Sequence, residues 1–318
     1  MSEKSGAQQS RSELIAEKAS AARELVADAS SKLNSIFSPD NYLCFLNLVE
    51  RFHWYSYINI FLIFLQHPDA EAVAGYDLWK RTSLATYNDP SRRILKASGV
   101  GQGIKLIAPF TVVEGATRSL INVSVPVYDI NQTNDIPAPQ IDFLDLNKVS
   151  HTDIINAINF VAPYRTVFAS NEDKNLSYNV KGYCNHRYQQ MVVDSRLTIR
   201  GLLTILFHEF AVSAVYLSGY KDESLLGLVE ESIFYILLKH FRLQVEDITF
   251  SYIGRFKNLS PSQIGPALYV IQTVSHSIIE KTEEHLEYIA ELIPAHEEFS
   301  YQASFFDNLD FLQGSMSE

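Results

Sequence analysis

Cysteine, positive charge and long apolar runs are all scarce in this sequence. The chain has two cysteines in 318 residues, Cys44 and Cys184, too few and too far apart for a disulfide framework or a cysteine-rich metal site. A reducing cytoplasm is therefore the expected compartment. The 37 acidic residues outnumber the 26 basic ones, for a net charge of −11. This excess argues against a nucleic-acid footprint over the whole surface, because such binding depends on neutralising phosphates.

Membrane-spanning runs and the signatures of several enzyme classes are missing too. The most apolar run, Ile58 to Leu65, is far shorter than the roughly 20 residues of a spanning helix. The segment 1–26 has mixed charges and no apolar core, so we expect no export signal and no membrane segment. There is no GxSxG sequence, and the glycine run at 99–103 lacks the residues that complete a phosphate loop.

What the sequence does contain is enough apolar content, 47% with 12% aromatic, for a large core and two ordinary domains. The charge is unevenly placed between them. Residues 1–37 carry five basic and five acidic residues, 38–134 carry eight of each, and 135–318 carry thirteen against twenty-four. The neutral N-terminal half could present a local basic face, whereas the acidic C-terminal half is not expected to grip a phosphate backbone.

Periodicity and turn residues predict helices followed by a small sheet in the first half. An Ala/Glu/Lys-rich stretch over about 10–37 predicts an amphipathic helix, which either docks on the body or pairs with a partner. Ser38-Pro39 predicts the start of a second helix through Arg51. A third helix, Tyr57 to Gln66, should end before Pro68. Extended segments are predicted at Ile104–Val113 and Leu120–Ile130.

The second half is predicted to be mostly helical. Its expected helices are 152–160, 198–217, 224–241 and roughly 261–293, with short extended segments at 165–169 and 188–193 and a turn at 184–187. We predict an α+β chain with a helix at 1–37, a first domain at 38–137, a linker at 138–150, a second domain at 151–295 and a tail at 296–318.

The strongest local signal for chemistry is His208-Glu209 in the middle of an apolar helix. Two histidines four residues apart, with a glutamate after the first, would hold zinc and place a general base beside its water. The position four residues on is Val212, which has no lone pair to offer. Glu231 on the next helix adds a second donor, but a catalytic zinc normally has three protein ligands. The alternative is that His208 and Glu209 are a hydrogen-bonded polar pair in the core.

Cations alternate with aromatic side chains in the first half of the chain. Aromatic stacking platforms beside cations are what binding to single-stranded nucleic acid requires. Aromatic residues packed in the core are the alternative reading of the same pattern. The candidate nucleic-acid-binding residues are Arg51, Trp54, Tyr55, Asn59, Trp79, Lys80, Arg81, Arg92, Arg93, Lys96 and Lys105.

Several spaced motifs, in order, resemble the ArdC-type antirestriction proteins of plasmids and transposons. The first half carries Tyr55-Ser56, Asn59, Gln66, Pro68, Gly75-Tyr76 and Trp79, then Ile104 to Pro109 and Tyr128 to Thr133. The second half carries His208-Glu209, Glu231-Ser232, His240-Phe241 and the segment from Asp247 to Ile253. The resemblance covers roughly 40–137 and 150–290.

This resemblance implies an N-terminal domain of the kind that binds single-stranded DNA and a C-terminal zincin-like domain of the gluzincin type. It implies that His208 and Glu231 are metal ligands and that Glu209 is the general base. The sequence departs from the family at Val212, where the second histidine is expected, and at 98–103, where a lysine-rich turn is expected. The first departure makes Glu209 a vestigial base and the metal site incomplete.

The leading hypothesis is a non-enzymatic antirestriction-like protein of a mobile element, without a cofactor. It would bind single-stranded DNA or a host enzyme that acts on nucleic acid, and the helix at 1–37 could mediate homo-oligomers. A second hypothesis is an active zinc metallopeptidase that completes its site with a ligand from elsewhere. A third is an acidic protein that mimics DNA. The excess of eleven acidic residues over 135–318 gives this hypothesis only weak support.

Overall fold

The computed structural model describes residues 2–97, 100–114, 117–137, 146–170 and 173–292, and the fold is α+β as predicted. The described helices are α1 (Ser2–Ser31), α2 (Pro39–Arg51), α3 (Tyr57–Gln66), α4 (Tyr76–Tyr87), α5 (His151–Val161), α6 (Ile199–Ser218), α7 (Glu223–His240) and α8 (Pro261–Leu292). The strands are β1 (Val73–Ala74), β2 (Ile104–Glu114), β3 (Thr117–Asp129), β4 (Arg165–Ala169), β5 (Gly182–Asn185) and β6 (Gln190–Asp194).

Helix α1 confirms the predicted N-terminal helix, with corrected bounds. It ends at Ser31, and a short 3-10 turn over Leu33–Ile36 replaces its predicted last part. The small side chains of Ala19, Ala22 and Ala29 are buried, so the helix approaches closely to β3 and α3. The helix therefore docks on the body of the same chain.

The starts and ends of α2 and α3 follow local chemistry. The Ser38 side chain accepts a hydrogen bond from the backbone N–H of Asn41, and Pro39 occupies the first helical position, as predicted. Helix α3 ends at Gln66, two residues before Pro68, also as predicted. Between α3 and the hairpin, α4 is a helix that the sequence patterns did not predict.

The hairpin of β2 and β3 is held at its outer edge by side chains of α3. The order of the sheet is β1-β3-β2, so β2 is an edge strand. The Asn59 amide donates to the carbonyl of Ile107 and accepts from its N–H, each at 2.9 Å. The Gln66 amide makes the same pair of bonds with Lys105, at 3.0 and 2.9 Å. The two side-chain amides therefore occupy backbone groups of β2 to which a further strand could otherwise bind. Pro109, two residues after Ile107, has no N–H group for such a strand either.

The second sheet has the order β4-β6-β5 and lies against α6. Strand β4 is parallel to β6, and β5 is antiparallel to it. The predicted turn at 184–187 is wrong at its start, because Cys184 and Asn185 belong to β5. Four residues without apolar alternation gave no strand signal there. The last predicted strand runs over Gln190–Asp194, and the helical region after 261 is a single helix.

Helix α6 lies in the core of the second half. By length and composition alone it could cross a membrane. In the structure it packs against α5, α7, α8, β5 and β6, with Leu206, Phe207 and Val215 fully buried. Its place in the core accounts for its apolar composition.

Polar side chains connect the two predicted domains along α2 and α7. The hydroxyl groups of Tyr42 and Ser232 lie 2.7 Å apart in the core. Asn47 accepts hydrogen bonds from Tyr235 and Lys239 on α7. One hydrophobic core cluster includes residues of α2, α3, α6, α7 and α8. The predicted linker lies outside the described residues at 138–145, as does the tail at 296–318, and the domain boundary stays a prediction.

The paired amide contact predicts a stability effect for Asn59. Asn59→Ala removes two hydrogen bonds and leaves the backbone groups of Ile107 without those partners. The free energy of unfolding should fall by about 1–3 kcal/mol. Urea unfolding followed by circular dichroism measures the loss. Asn122→Ala, at an exposed position of β3, is the matched control, and an equal loss in both variants would contradict the assigned role.

Candidate functional site

The hairpin of α6 and α7 brings together the residues of the predicted metal site. Thr198 caps the start of α6 by accepting from the N–H of Gly201. Gly219 ends the helix in the left-handed region, with φ of 77°. Asp222 then caps α7, which runs back along α6. His208 in the middle of α6 thus shares an electrostatic environment with the glutamates of α7.

His208 is paired with the glutamate next to it. Its Nδ1 atom lies 3.0 Å from Oε1 of Glu209, and its ring packs edge-on against Phe234 of α7 at 5.3 Å. The Glu209 side chain is buried, whereas that of His208 is 42% exposed. The hydrogen bond from Glu209 raises the pKa of His208 above its ordinary value, and the nearby Glu230 and Glu231 act in the same direction. His208 and Glu209 therefore form a hydrogen-bonded pair at the edge of the core, with Glu209 buried and His208 partly exposed.

The two glutamates of α7 that act on His208, Glu230 and Glu231, have different surroundings. Glu230 is half-buried, and burial raises the pKa of its carboxyl group. Glu231 is exposed and accepts a hydrogen bond from the hydroxyl group of Tyr252. Burial, together with this hydrogen bond, raises the pKa of Tyr252. The sequence analysis included Tyr252 in the family-like segment Asp247 to Ile253 but gave it no role; it comes after the end of α7 and lies 21 residues from its partner.

Strand β5 covers Glu209 from the other side. The thiol of Cys184 donates to the backbone carbonyl of Glu209 at 3.1 Å, and burial raises the pKa of this thiol. A Cβ atom at Gly182 would lie 2.4 Å from the side chain of Ile205 and 3.4 Å from Cγ of Glu209. The absence of a side chain at Gly182 therefore lets the strand approach the helix at this point.

The donor groups near His208 do not form a set suited to zinc. Val212, one turn along α6, is half-buried and offers no donor atom. In the part of the chain that the structure describes, no three histidine, cysteine or acidic side chains are grouped so that they could hold a metal ion. His208 and Glu231 each already have a partner, Glu209 and Tyr252.

The predicted nucleic-acid-binding residues separate into buried and exposed groups. Trp79 is wholly buried and donates to the carbonyl of Tyr128, and Asn59 is bound to β2, so neither offers a face to a base. Tyr55 and Arg51 are half-buried and donate to the carbonyls of Val73 and Ala70. Each of these four side chains has a structural role, and its predicted role in nucleic-acid binding stays a prediction. The exposed members are Trp54, Lys80, Arg81, Arg93, Lys96 and Lys105.

Helix α4 presents two exposed aromatic residues that belong to the sequence pattern of alternating cations and aromatic side chains. Tyr76 and Tyr87 are 45% and 39% exposed. Lys80 lies between them on the same face, since positions 76, 80 and 87 fall within about 40° around a helix of 3.6 residues per turn. Arg92 stacks over the ring of Tyr87 at 3.8 Å. We call the exposed residues Tyr76, Lys80, Tyr87, Arg93 and Lys96, together with the half-buried Arg92, the α4 surface.

The paired geometry predicts how His208 titrates. Glu209→Gln keeps the shape of the side chain but removes the charge that favours the imidazolium, so the pKa of His208 should fall. Histidine side-chain NMR over a pH series measures the shift. Glu223→Gln, at an exposed position in the first turn of α7, should leave this pKa unchanged. An unchanged pKa in Glu209→Gln would contradict the pairing.

Comparison with known proteins gives few matches. No protein-family profile and no curated protein matches the chain. Among solved structures, the chain is similar to the metal-free antirestriction protein ArdC from plasmid R388, at 12% identity and a TM-score of 0.45, over 83% of this chain and 97% of that one. For the Mn(II)-bound ArdC structure the values are 12%, 0.47, 82% and 97%. These structures are of the protein type that the sequence motifs resemble.

Proposed function

We propose that this chain is an antirestriction-like protein of a mobile element that binds single-stranded DNA through the α4 surface. In this proposal the hairpin of α6 and α7 is a scaffold, and the chain carries out no zinc hydrolysis. The observation that carries the DNA part is the row of exposed aromatic and cationic side chains along α4 and the segment after it. The observation that carries the second part is Val212 in place of a ligand.

The spacing on α4 suits the stacking of two bases that are separated along the strand rather than adjacent. Tyr76 and Tyr87 are eleven residues apart, which is about 16 Å along a helix. Lys80 stands between them on the same face, where it can meet a phosphate. The hydroxyl group of Tyr87 donates to the carbonyl of Asp135, which orients the ring while leaving part of it exposed. Aromatic rings stack on any base, so this arrangement favours binding without sequence preference.

Charge along this segment supports the same partner. Residues 76–96 contain five basic residues, at 80, 81, 92, 93 and 96, and two acidic ones, at 77 and 89. Asp89 is already bonded to the hydroxyl and N–H groups of Ser91. A local excess of three positive charges stands out in a chain with a net charge of −11. Such a patch attracts phosphates at short range despite the overall charge.

The residues at the helix hairpin do not fit a hydrolytic zinc. A catalytic zinc needs three protein ligands and an open position for water, and the side chains of His208 and Glu231 supply two donors at most. Glu209, the expected base, is buried and bonded to His208. We therefore derive no hydrolytic step for this chain.

Removing the aromatic rings should weaken the binding of single-stranded DNA. Tyr76→Ala and Tyr87→Ala each remove a stacking platform, which is worth about 1–3 kcal/mol per base, or roughly 5- to 150-fold in affinity. Fluorescence anisotropy with a labelled oligonucleotide measures Kd, and circular dichroism checks the fold. Tyr178→Ala, at a side chain 91% exposed in the second half, is the matched control.

A salt series separates phosphate contacts from stacking. Lys80→Glu should weaken binding and reduce the dependence of log Kd on log salt concentration, since fewer counterions are released. Lys281→Glu, at an exposed position of α8, should change neither. Absence of binding by the unmodified chain, even at low salt, would remove the DNA part of the proposal.

Restoring the missing histidine should create a zinc site. Val212→His places a second imidazole one turn from His208 on the same face of α6. We expect about one zinc per chain in this variant and clearly less in the unmodified chain, as measured by metal analysis after dialysis. Val212→Gln is the matched control. One zinc in the unmodified chain that disappears in His208→Ala would instead favour the metallopeptidase hypothesis.

A further inference from the structure

Three histidines and two glutamates meet where the end of α2 contacts α7 and α8, away from both sites described above. His53 follows α2 and is 6% exposed. Its Nδ1 atom lies 3.0 Å from Nδ1 of His276 on α8, and its ring is 5.6 Å from that of His240 on α7. His240 lies between Glu50 of α2, at 3.3 Å, and Glu283 of α8, at 2.9 Å. We call these five residues the histidine junction.

We propose that the histidine junction is a pH-sensitive contact that holds the end of α2 on α7 and α8 and opens when His53 takes up a proton in addition to one on His276. The inference goes beyond the proposed function and does not rest on it. It assigns a regulatory contact to residues that neither the DNA-binding surface nor the helix hairpin uses.

The first argument is the contact between the two Nδ1 atoms. A neutral imidazole has one N–H, so one ring must donate from Nδ1 and the other must accept there. If His276 becomes protonated, its Nδ1–H still meets the lone pair of His53, and Glu280 stands 3.7 Å from its Nε2. If His53 is protonated as well, two N–H groups face each other at 3.0 Å. The contact therefore tolerates one extra proton and not two.

The second argument is the charge around His53. Burial alone would lower the pKa of His240, but hydrogen bonds to Glu283 and Glu50 outweigh it and raise the pKa to about 9. His240 is thus a cation at neutral pH. Burial, then His240 and His276, lower the pKa of His53 to about 3. A proton on His53 would add a buried cation beside an existing one, without a carboxylate of its own.

The remaining groups of the junction do not relieve this repulsion. On α7, Lys239 adds a further cation and is bonded to Asn47 of α2. On α8, Gln272 donates to the backbone carbonyl of His53 at 2.7 Å and has no charge. Glu280 is exposed and faces His276 rather than His53. Moving the end of α2 away from α8 is therefore the way to hydrate a charged His53.

The direction of the pH effect follows from the two pKa values. An exposed histidine has a pKa of about 6.5. Since the pKa of His53 is lower when the contact is closed, the open state binds more protons below pH 6.5. The opening equilibrium constant should then rise about tenfold for each pH unit between 6.5 and 4. His240 acts oppositely: its stabilising effect is complete below 6.5 and is lost as pH rises through about 9.

Hydrogen exchange on the full chain tests the proposal. Between pH 6.5 and 4.5, and after correction for intrinsic rates, peptides from the end of α2 and the middle of α8 should lose protection about tenfold per pH unit. Peptides from β4 and β6 should change less. In His53→Gln, which cannot become charged, the pH dependence should vanish. His285→Gln, on α8 with its ring stacked on Phe160, should behave as the unmodified chain does.

Side-chain NMR on the unmodified chain keeps the test decisive if a variant fails to fold. In the folded chain, His53 should stay neutral down to about pH 4, and His240 should stay charged up to about pH 9. Titration of His53 near 6.5, or protection of α2 that is the same at pH 6.5 and 4.5, would overturn the proposal.

Discussion

The contact between α2 and α7 is the constraint on which the arrangement of this chain depends. Each polar group buried there has a partner on the facing helix, from Tyr42 with Ser232 to Asn47 with Tyr235. Removing Ser232 or Asn47 would leave the hydroxyl group of Tyr42 or Tyr235 without this partner in the core, which costs more than the bond itself contributes. Helix α7 also packs on α6, the helix that carries His208. The contact therefore fixes the first half of the chain relative to the helix hairpin.

The sequence was informative where local chemistry decides the outcome. Caps and prolines located the start of α2 and the end of α3, because Ser38 and Pro68 act on their immediate neighbours. Helix α6 was found from its apolar composition. Helix α4 was missed because only Trp79 and Ser83 on it are buried, while its other apolar side chains face outward. Because these side chains face outward, α4 has no amphipathic pattern that would predict a helix. The same exposure makes α4 a candidate binding surface.

The candidate sites show a similar division. The pairing of His208 with a carboxylate could be anticipated, since the two residues are adjacent in sequence. The contacts of Glu231 with Tyr252 and of Glu209 with Cys184 depend on how β5 and the end of α7 fold back on α6. Such contacts have no signal in spacing. Trp79 is a similar case. It lies among cations in the sequence, but in the fold its side chain is buried and donates to the carbonyl of Tyr128.

The two amides that bond to β2 also determine how the hairpin can be aligned with α3. A slip of one residue would turn the apolar side of the strand outward. A slip of two residues that places Pro109 opposite Asn59 would keep the sides, but a proline cannot return the hydrogen bond that Ile107 donates. The alignment of this strand therefore depends in part on a helix and not only on the strand beside it.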